Sequence, residues 1–468
     1  MKKISLLAIL TVLMSLTACN DYIDILPKGN KIPKDVSDFV PLLNDEYNNC
    51  FHGAGAALYL MNDNYLTKSN RQSLTLNSAN YLWNEEADRV LLNKDSENFF
   101  YYLYMSISTD NLIINNVPEM TGDDAAKKQL IAEARTLRAY NYLMLVNFYS
   151  DSYLKGDPAQ AGGVPFIMDA SVDAPYTQPC VKEIYDFIIS ELQAVIASNE
   201  LPAEAVNVLR PSKATAQAIL ARALMLSGRY DEALTAVNSA LETYSTLFNW
   251  VEFYQANEAN ILAEGGYTQA PSPMGYDFCE NVLYRSGDRA CNYEQADLQM
   301  PLHRAALYEA GDAMLASRWK ERTQNQDTYM YPMTKGYYNY GGITVTELYC
   351  IKAECEARAG RIPEAMKVLN AVRQTRIMPD EYIEMSATDL ADALQKIYRV
   401  KANSLVMNVI CSFDAKRLNA EGIAPVVLTK TEDGKEYRLD PNSHLWTMTF
   451  PATAVKNHGN GSFTQNSK

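Results

Sequence analysis

The chain has 468 residues, 47% of them hydrophobic and 21% charged, which gives ample material for a folded core and excludes general disorder. A formal net charge of −14 argues against nucleic acid and against a polybasic membrane-binding surface, because both require clustered Lys and Arg. Eight cysteines scattered over this length make no disulfide framework.

Residues 1–18 come first. Lys2 and Lys3 precede an apolar run of about 15 residues, short of the roughly 20 that a spanning helix needs. This pattern is a secretory signal. Its end, Leu16-Thr17-Ala18-Cys19, has the form of a bacterial lipoprotein cleavage site, after which Cys19 carries lipid such as palmitate. Residues 19–34 hold turn residues without a sustained period and read as a leader that lifts the body off the membrane.

Residues 35–245 read as an N-terminal region with helical repeats. Its first part, 35–96, is mixed and Asn-rich, with short helices and loops. Helices are expected near 97–118, ended by Pro118, near 123–149 and near 181–198. The second of these carries the clearest apolar stripe, beginning Leu130, Ala134, Leu137 and Tyr140.

Internal repetition follows. Ala216, Leu220, Ala221 and Leu224 mark one helix, Gly228-Arg229-Tyr230 a turn, and Ala233, Val237 and Ala240 a second helix. The same arrangement returns as Ala353 and Ala357, then Gly360-Arg361-Ile362-Pro363-Glu364-Ala365, then Leu369 and Val372. Small residues at these positions suit a tetratricopeptide-like helix pair, and such pairs bury their faces only by stacking on one another.

Between the copies, residues 246–340 lose helical period and gain Gly, Pro and aromatics, so they read as a loop-rich insertion laid on the scaffold. Residues 341–468 return to repeat helices, with one more expected near 388–405. The fold class is therefore mostly α: a tetratricopeptide-like helical-repeat scaffold with a loop-rich, irregular inserted half.

No catalytic motif stands out, and the four histidines are dispersed, so no catalytic residue, metal or cofactor is assigned. Glu85-Glu86 and Asp123-Asp124 read as solvated faces or helix caps. Asp433-Gly434 lacks the acid spacing of a calcium loop. Cys350 and Cys355 fit a metal site poorly. Cys279 and Cys291 could pair in a loop, the plainer reading being buried free thiols.

Aromatics are the alternative currency, because an exposed flat ring stacks on the apolar face of a sugar without acid or base. The expected ligand contacts are Tyr81, Trp83 and Asn84 before the first long helix, Trp250 and Trp319 in the insertion, and Tyr329 and Tyr331 in its turn-rich stretch. Trp446 is expected to pack the C-terminal segment into the body.

In this order the pieces resemble the SusD/RagB family of outer-membrane nutrient-binding lipoproteins. The resemblance is carried by the lipoprotein signal followed by Asp21-Tyr22-Ile23-Asp24-Ile25-Leu26-Pro27, and by Ala132-Glu133-Ala134-Arg135-Thr136-Leu137-Arg138-Ala139-Tyr140. It continues in Gly162-Gly163-Val164-Pro165, Arg210-Pro211-Ser212-Lys213-Ala214 and Glu347-Leu348-Tyr349. Ser412-Phe413-Asp414-Ala415-Lys416-Arg417 stands where the family has an aromatic-Asp-Leu-Lys-Arg turn, and Ser467-Lys468 replaces its Pro-Gly-Tyr ending. The resemblance implies a lipid-anchored protein of the cell outer membrane, facing the exterior. It would capture a nutrient, an oligosaccharide above all, and hand it to a SusC-like TonB-dependent transporter. On that reading the repeat face meets the transporter and the insertion meets the ligand. The alternatives are peptide capture, as in the RagB branch, and a glycan-degrading enzyme.

Overall fold

A computed structural model of the chain describes residues 33–45, 55–93, 99–171, 173–263, 273–286, 298–333 and 339–466. The signal, Cys19, nearly all of the leader, Cys50, His52 and Cys291 lie outside the described residues.

The longer helices are α1 Phe99–Asn116, α2 Asp124–Tyr149, α3 Val181–Ser198, α4 Lys213–Leu226, α5 Tyr230–Leu241, α6 Trp250–Leu262, α7 Val345–Arg358, α8 Ile362–Gln374, α9 Leu390–Ser404 and α10 Ile410–Glu421. Local chemistry sets their ends. Asp123 caps α2 by accepting from Ala126 N at 2.8 Å, Ser212 caps α4, and left-handed Asn199 closes α3. Asp123-Asp124 is thus a helix start.

Helices α1, α2, α3, α4, α5 and α7 pack in succession, and α8 and α9 close on α7. The repeat turns match bond for bond. Gly228 and Gly360 have φ of +77° and +79°, conformations that glycine adopts without a Cβ clash. Arg229 N donates to Leu224 O at 2.8 Å, and Arg361 N to Glu356 O at 3.0 Å. Ala233 and Ala365 are fully buried where the next helix starts. Phenylalanine at either position is expected to overpack the pair and lower stability by about 1–3 kcal/mol, read as a lower urea midpoint with unchanged slope.

Gly163 explains the Gly-Gly-Val-Pro segment. Its N–H donates to Pro179 O at 2.9 Å, and a Cβ would stand 2.6 Å from that same oxygen. Two backbones pass here too closely for a side chain.

Buried ion pairs stitch the scaffold. Arg222 on α4 is held by Glu347 on α7 at 2.6 Å and also donates to Gly341 O and Gly342 O. Asp414 takes Lys401 at 2.7 Å, and Arg417 takes Glu354. Phe413–Arg417, expected as a turn, is thus the middle of α10, and its charges lock α10 to α7 and α9.

Three antiparallel two-stranded ribbons complete the described residues. β1 Asn281–Leu283 pairs with β4 Ile343–Thr344, β2 Trp319–Gln324 with β3 Asp327–Pro332, and β5 Leu428–Glu432 with β6 Lys435–Leu439. Two of them are hairpins with left-handed turn residues, Asn325 and Gln326 in one, Asp433 and Gly434 in the other. The expected turn-rich stretch around Tyr329 is therefore a strand. Residues 250–262, expected as irregular, form the regular helix α6, capped by Asn249. Trp446 lies in a short 3-10 turn, buried, with its indole N–H on Asp440 O at 2.9 Å. Cys279 is exposed and unpaired, where a buried thiol was expected.

Candidate functional site

Most of the expected aromatic contacts turn out to be core. Tyr81, Trp83, Trp250, Trp319 and Tyr329 are all buried, with Tyr81 at 0% and Trp250 at 1% exposure. The open stacking rings expected at these positions are therefore corrected. The physical reason is that the hairpins and the irregular segments build small cores of their own from rings, each of which hides a large apolar area. Trp250 sits among Phe248, Phe253 and Phe278, with centroids 4.8, 5.9 and 6.3 Å away. Trp319 opens β2 facing inward, with the Arg318 guanidinium 6.0 Å from its ring. Tyr329 stacks on Tyr65 at 5.5 Å, and the Tyr81 hydroxyl donates to Glu432 at 3.0 Å. Only Asn84 and Tyr331 keep partly open faces. Asn84 accepts from Glu86 N, and Tyr331 lies under Arg322 at 4.8 Å.

Trp83 differs from the other buried rings in the size of the space it borders, since Trp250 meets only a cleft of about 40 Å³. A cavity of about 280 Å³ lies between the loop after Gly55–Leu60, the short helix Leu302–Ala305, α9 and the segment 424–429. Trp83, Asn62 and Asp63 form one wall, His303 and Arg304 another, and Gln395, Tyr398 and Arg399 of α9 a third. The wall is held under backbone strain. Trp83 has φ +49° and Asn62 +55°, and Met407, whose N–H donates to Asp63 at 3.3 Å, has +71°. Left-handed non-glycine residues cost free energy and concentrate where function demands a fixed geometry. Two of the seven such residues among the described ones line this cavity, and a third, Met407, holds its Asp63.

The polar wall is organised. Arg304 donates to Asp63 at 2.8 Å, to Asn403 at 2.8 Å and to Ala402 O at 2.8 Å. Trp83 fixes its ring by donating to Leu60 O at 2.8 Å. Behind it the Lys430 ammonium donates to Asn62 at 2.6 Å and lies 3.5 Å from the Tyr81 centroid and 4.8 Å from that of Trp83. Burial, with Arg71 adding and Glu432 opposing, lowers Lys430 to about 7. Burial also holds His303 down at about 4, helped by the charges of Lys430 and Arg304, so its imidazole is neutral at pH 7. Its Nε2 is buried without a hydrogen-bond partner.

Trp83 is legible in the sequence as a candidate contact, whereas Asn62, Asp63, His303, Arg304 and Arg399 are not. These come from separate regions of the chain, and no spacing links them. The polar run Asn62-Asp63-Asn64 directly after an apolar helix was the one local signal.

The fold is thus a helical-repeat body with a strained, ring-walled cavity at its side. Residues 21–225 match the SusD-like family described as starch-binding and associating with the outer membrane. The SusD-like protein P2 of Formosa agariphila is 26% identical over 210 residues, which span 42% of this chain and 39% of that relative. The match thus covers well under two thirds of the curated relative's length. Solved structures extend the likeness to the whole fold. A SusD superfamily protein of Bacteroides thetaiotaomicron superposes with a TM-score of 0.68 at 15% identity, over 93% of this chain and 100% of its own. A SusD-like carbohydrate binding protein of Bacteroides vulgatus gives 0.66 at 15%, over 92% and 99%. Surface glycan-binding protein A of Bacteroides uniformis gives 0.62 at 18%, over 92% and 98%. The N-terminal part of the chain, residues 21–225, is thus similar to the SusD-like family, and the fold as a whole is that of the SusD superfamily structures.

Proposed function

We propose that this chain is a lipid-anchored protein of the outer membrane that captures an oligosaccharide at the cell surface and passes it to a SusC-like TonB-dependent transporter. The observation that carries the ligand side is the cavity: an aromatic wall at Trp83 beside fixed amide and guanidinium groups, the combination that holds a sugar ring and its hydroxyls. The family description and the names of two structural neighbours point to the same ligand class. The repeat face of α4, α5, α7 and α8 is the surface we assign to the transporter, and the domain boundaries at 34, 245 and 340 go with that division of labour.

Capture without turnover suits the wall. Among the described residues lining the cavity, Asp63 is the one carboxylate, and Arg304 and the Met407 N–H already occupy it. Glycoside hydrolysis uses two carboxyl groups across the bond.

The test is a panel of neutral and acidic oligosaccharides and short peptides titrated into the purified chain. Saturable binding of a glycan, weakened by Trp83→Phe, supports the reading, whereas binding confined to peptides overturns it. The anchor is tested separately. Cys19→Ala is expected to leave the protein unlabelled by fatty acid and released from membranes on washing.

A further inference from the structure

The cavity is cationic, although the chain as a whole carries −14. Of the charged groups lining it, Asp63 and Arg304 neutralise each other at 2.8 Å. What remains is the guanidinium of Arg399, exposed at the rim and with no carboxylate within 4 Å among the described residues. Gln395 stands one turn before it on α9 and also lines the cavity. Across the space is His303, with its buried Nε2 unused, and Lys430 lies behind the Trp83 wall. The one lining carboxylate is spent while the Arg399 guanidinium is not. At about 280 Å³ the space sits at the lower edge of small-molecule sites, about 300–1,000 Å³, so it takes one sugar unit and leaves the rest of a chain outside.

We infer that this cavity recognises the carboxylate of a uronic acid unit in an acidic oligosaccharide, with Arg399 as its fork. Arginine presents parallel N–H donors that match a carboxylate in two bonds, which an ammonium cannot do. The ring of the same unit lies against Trp83. The inference rests on the glycan-capture reading and narrows it to one class of sugar.

The experiment titrates the full lipoprotein in detergent with tetramers of galacturonate, alginate and hyaluronan, each beside its carboxyl-methylated form, and with a neutral maltotetraose. At least one acidic tetramer is expected to bind, its methyl ester at least tenfold more weakly. Arg399→Gln should weaken the acid at least tenfold and leave melting unchanged, because Arg399 is at the rim and holds nothing else in place. Arg399→Lys should recover only part of the loss, since a point charge lacks the fork. Raising salt should weaken the acid and not any neutral ligand. Equal binding of acid and ester, or binding of maltotetraose alone, overturns the inference while glycan capture stands. Binding of none of these sugars overturns both.

Discussion

Replacing Glu354 by alanine is expected to lower stability by about 3–5 kcal/mol, because it leaves a buried guanidinium without its counter-charge. Glu354 lies on α7 and accepts from Arg417 at 2.7 and 2.8 Å and from Arg358 at 2.8 Å. Arg417 is 1% exposed, so water cannot replace the lost carboxylate. Its remaining acids are Asp414 at 3.2 Å, shared with Lys401, and Glu421 at 3.7 Å, shared with Arg358. The pair joins α10 to the second repeat, and Arg358 extends the tie to Glu421 at 2.6 Å. The pH dependence has a definite sign. Burial pushes the Glu354 carboxyl up, but the two guanidiniums outweigh it and hold the group at about 2, below the ordinary 4.5. A depressed folded value means that the stabilisation is complete above about 4.5 and is lost as pH falls towards about 2. Urea unfolding at pH 7 and pH 3 reads this directly. Wild type should lose stability between the two, and Glu354→Ala should lose less, since it lacks the titrating group. A variant as stable as wild type at pH 7 would show that this lock does not hold the scaffold.

How far the sequence reveals such a molecule depends on the range of the interaction. Helices α2 and α3 are legible to within a residue because their apolar period, caps and stop signals are all local. The two repeat turns are legible because each puts one glycine before one alanine, and the structure gives both the same φ and the same bonds. The β5–β6 hairpin carries a strong turn signal in Asp433-Gly434, a dipeptide that takes up the left-handed two-residue turn and lacks the acid spacing of a calcium loop. The Asn325-Gln326 turn lacks glycine and gives a weaker signal. The charges in Phe413–Arg417 read as motif letters in sequence, and only the fold shows that Asp414 and Arg417 face Lys401 and Glu354 from other helices. The cavity was the least legible feature. It joins residues near 62, 83, 303, 399 and 425, and nothing in the order of a chain declares that they meet. Composition could not separate a ring that lines a space from a ring that fills one.

Trp250 shows that distinction and makes the second large prediction. Truncation to alanine is expected to cost about 3–5 kcal/mol of stability, in the range of large aromatic deletions from a core. The ring is 1% exposed, and it meets Phe248 and Phe278 at 4.8 and 6.3 Å while Arg318 lies 5.9 Å from it on another side. A narrow cleft of about 40 Å³ already borders the ring, so its removal enlarges an existing void, which the rigid neighbours α6 and Ala313–Arg318 cannot close. Affinity for whatever sugar the chain captures should stay within twofold of wild type, because Trp250 does not line the cavity that Trp83 borders. Trp83→Phe should behave in the opposite way. It keeps an aromatic wall but loses the N–H bond to Leu60 O at 2.8 Å, so the ring is free to tilt and binding falls. Thermal melting and calorimetric titration of both variants decide the matter together. Lost affinity with intact melting at Trp250 would place the ligand in the insertion after all, and intact affinity at Trp83 would take it out of the cavity.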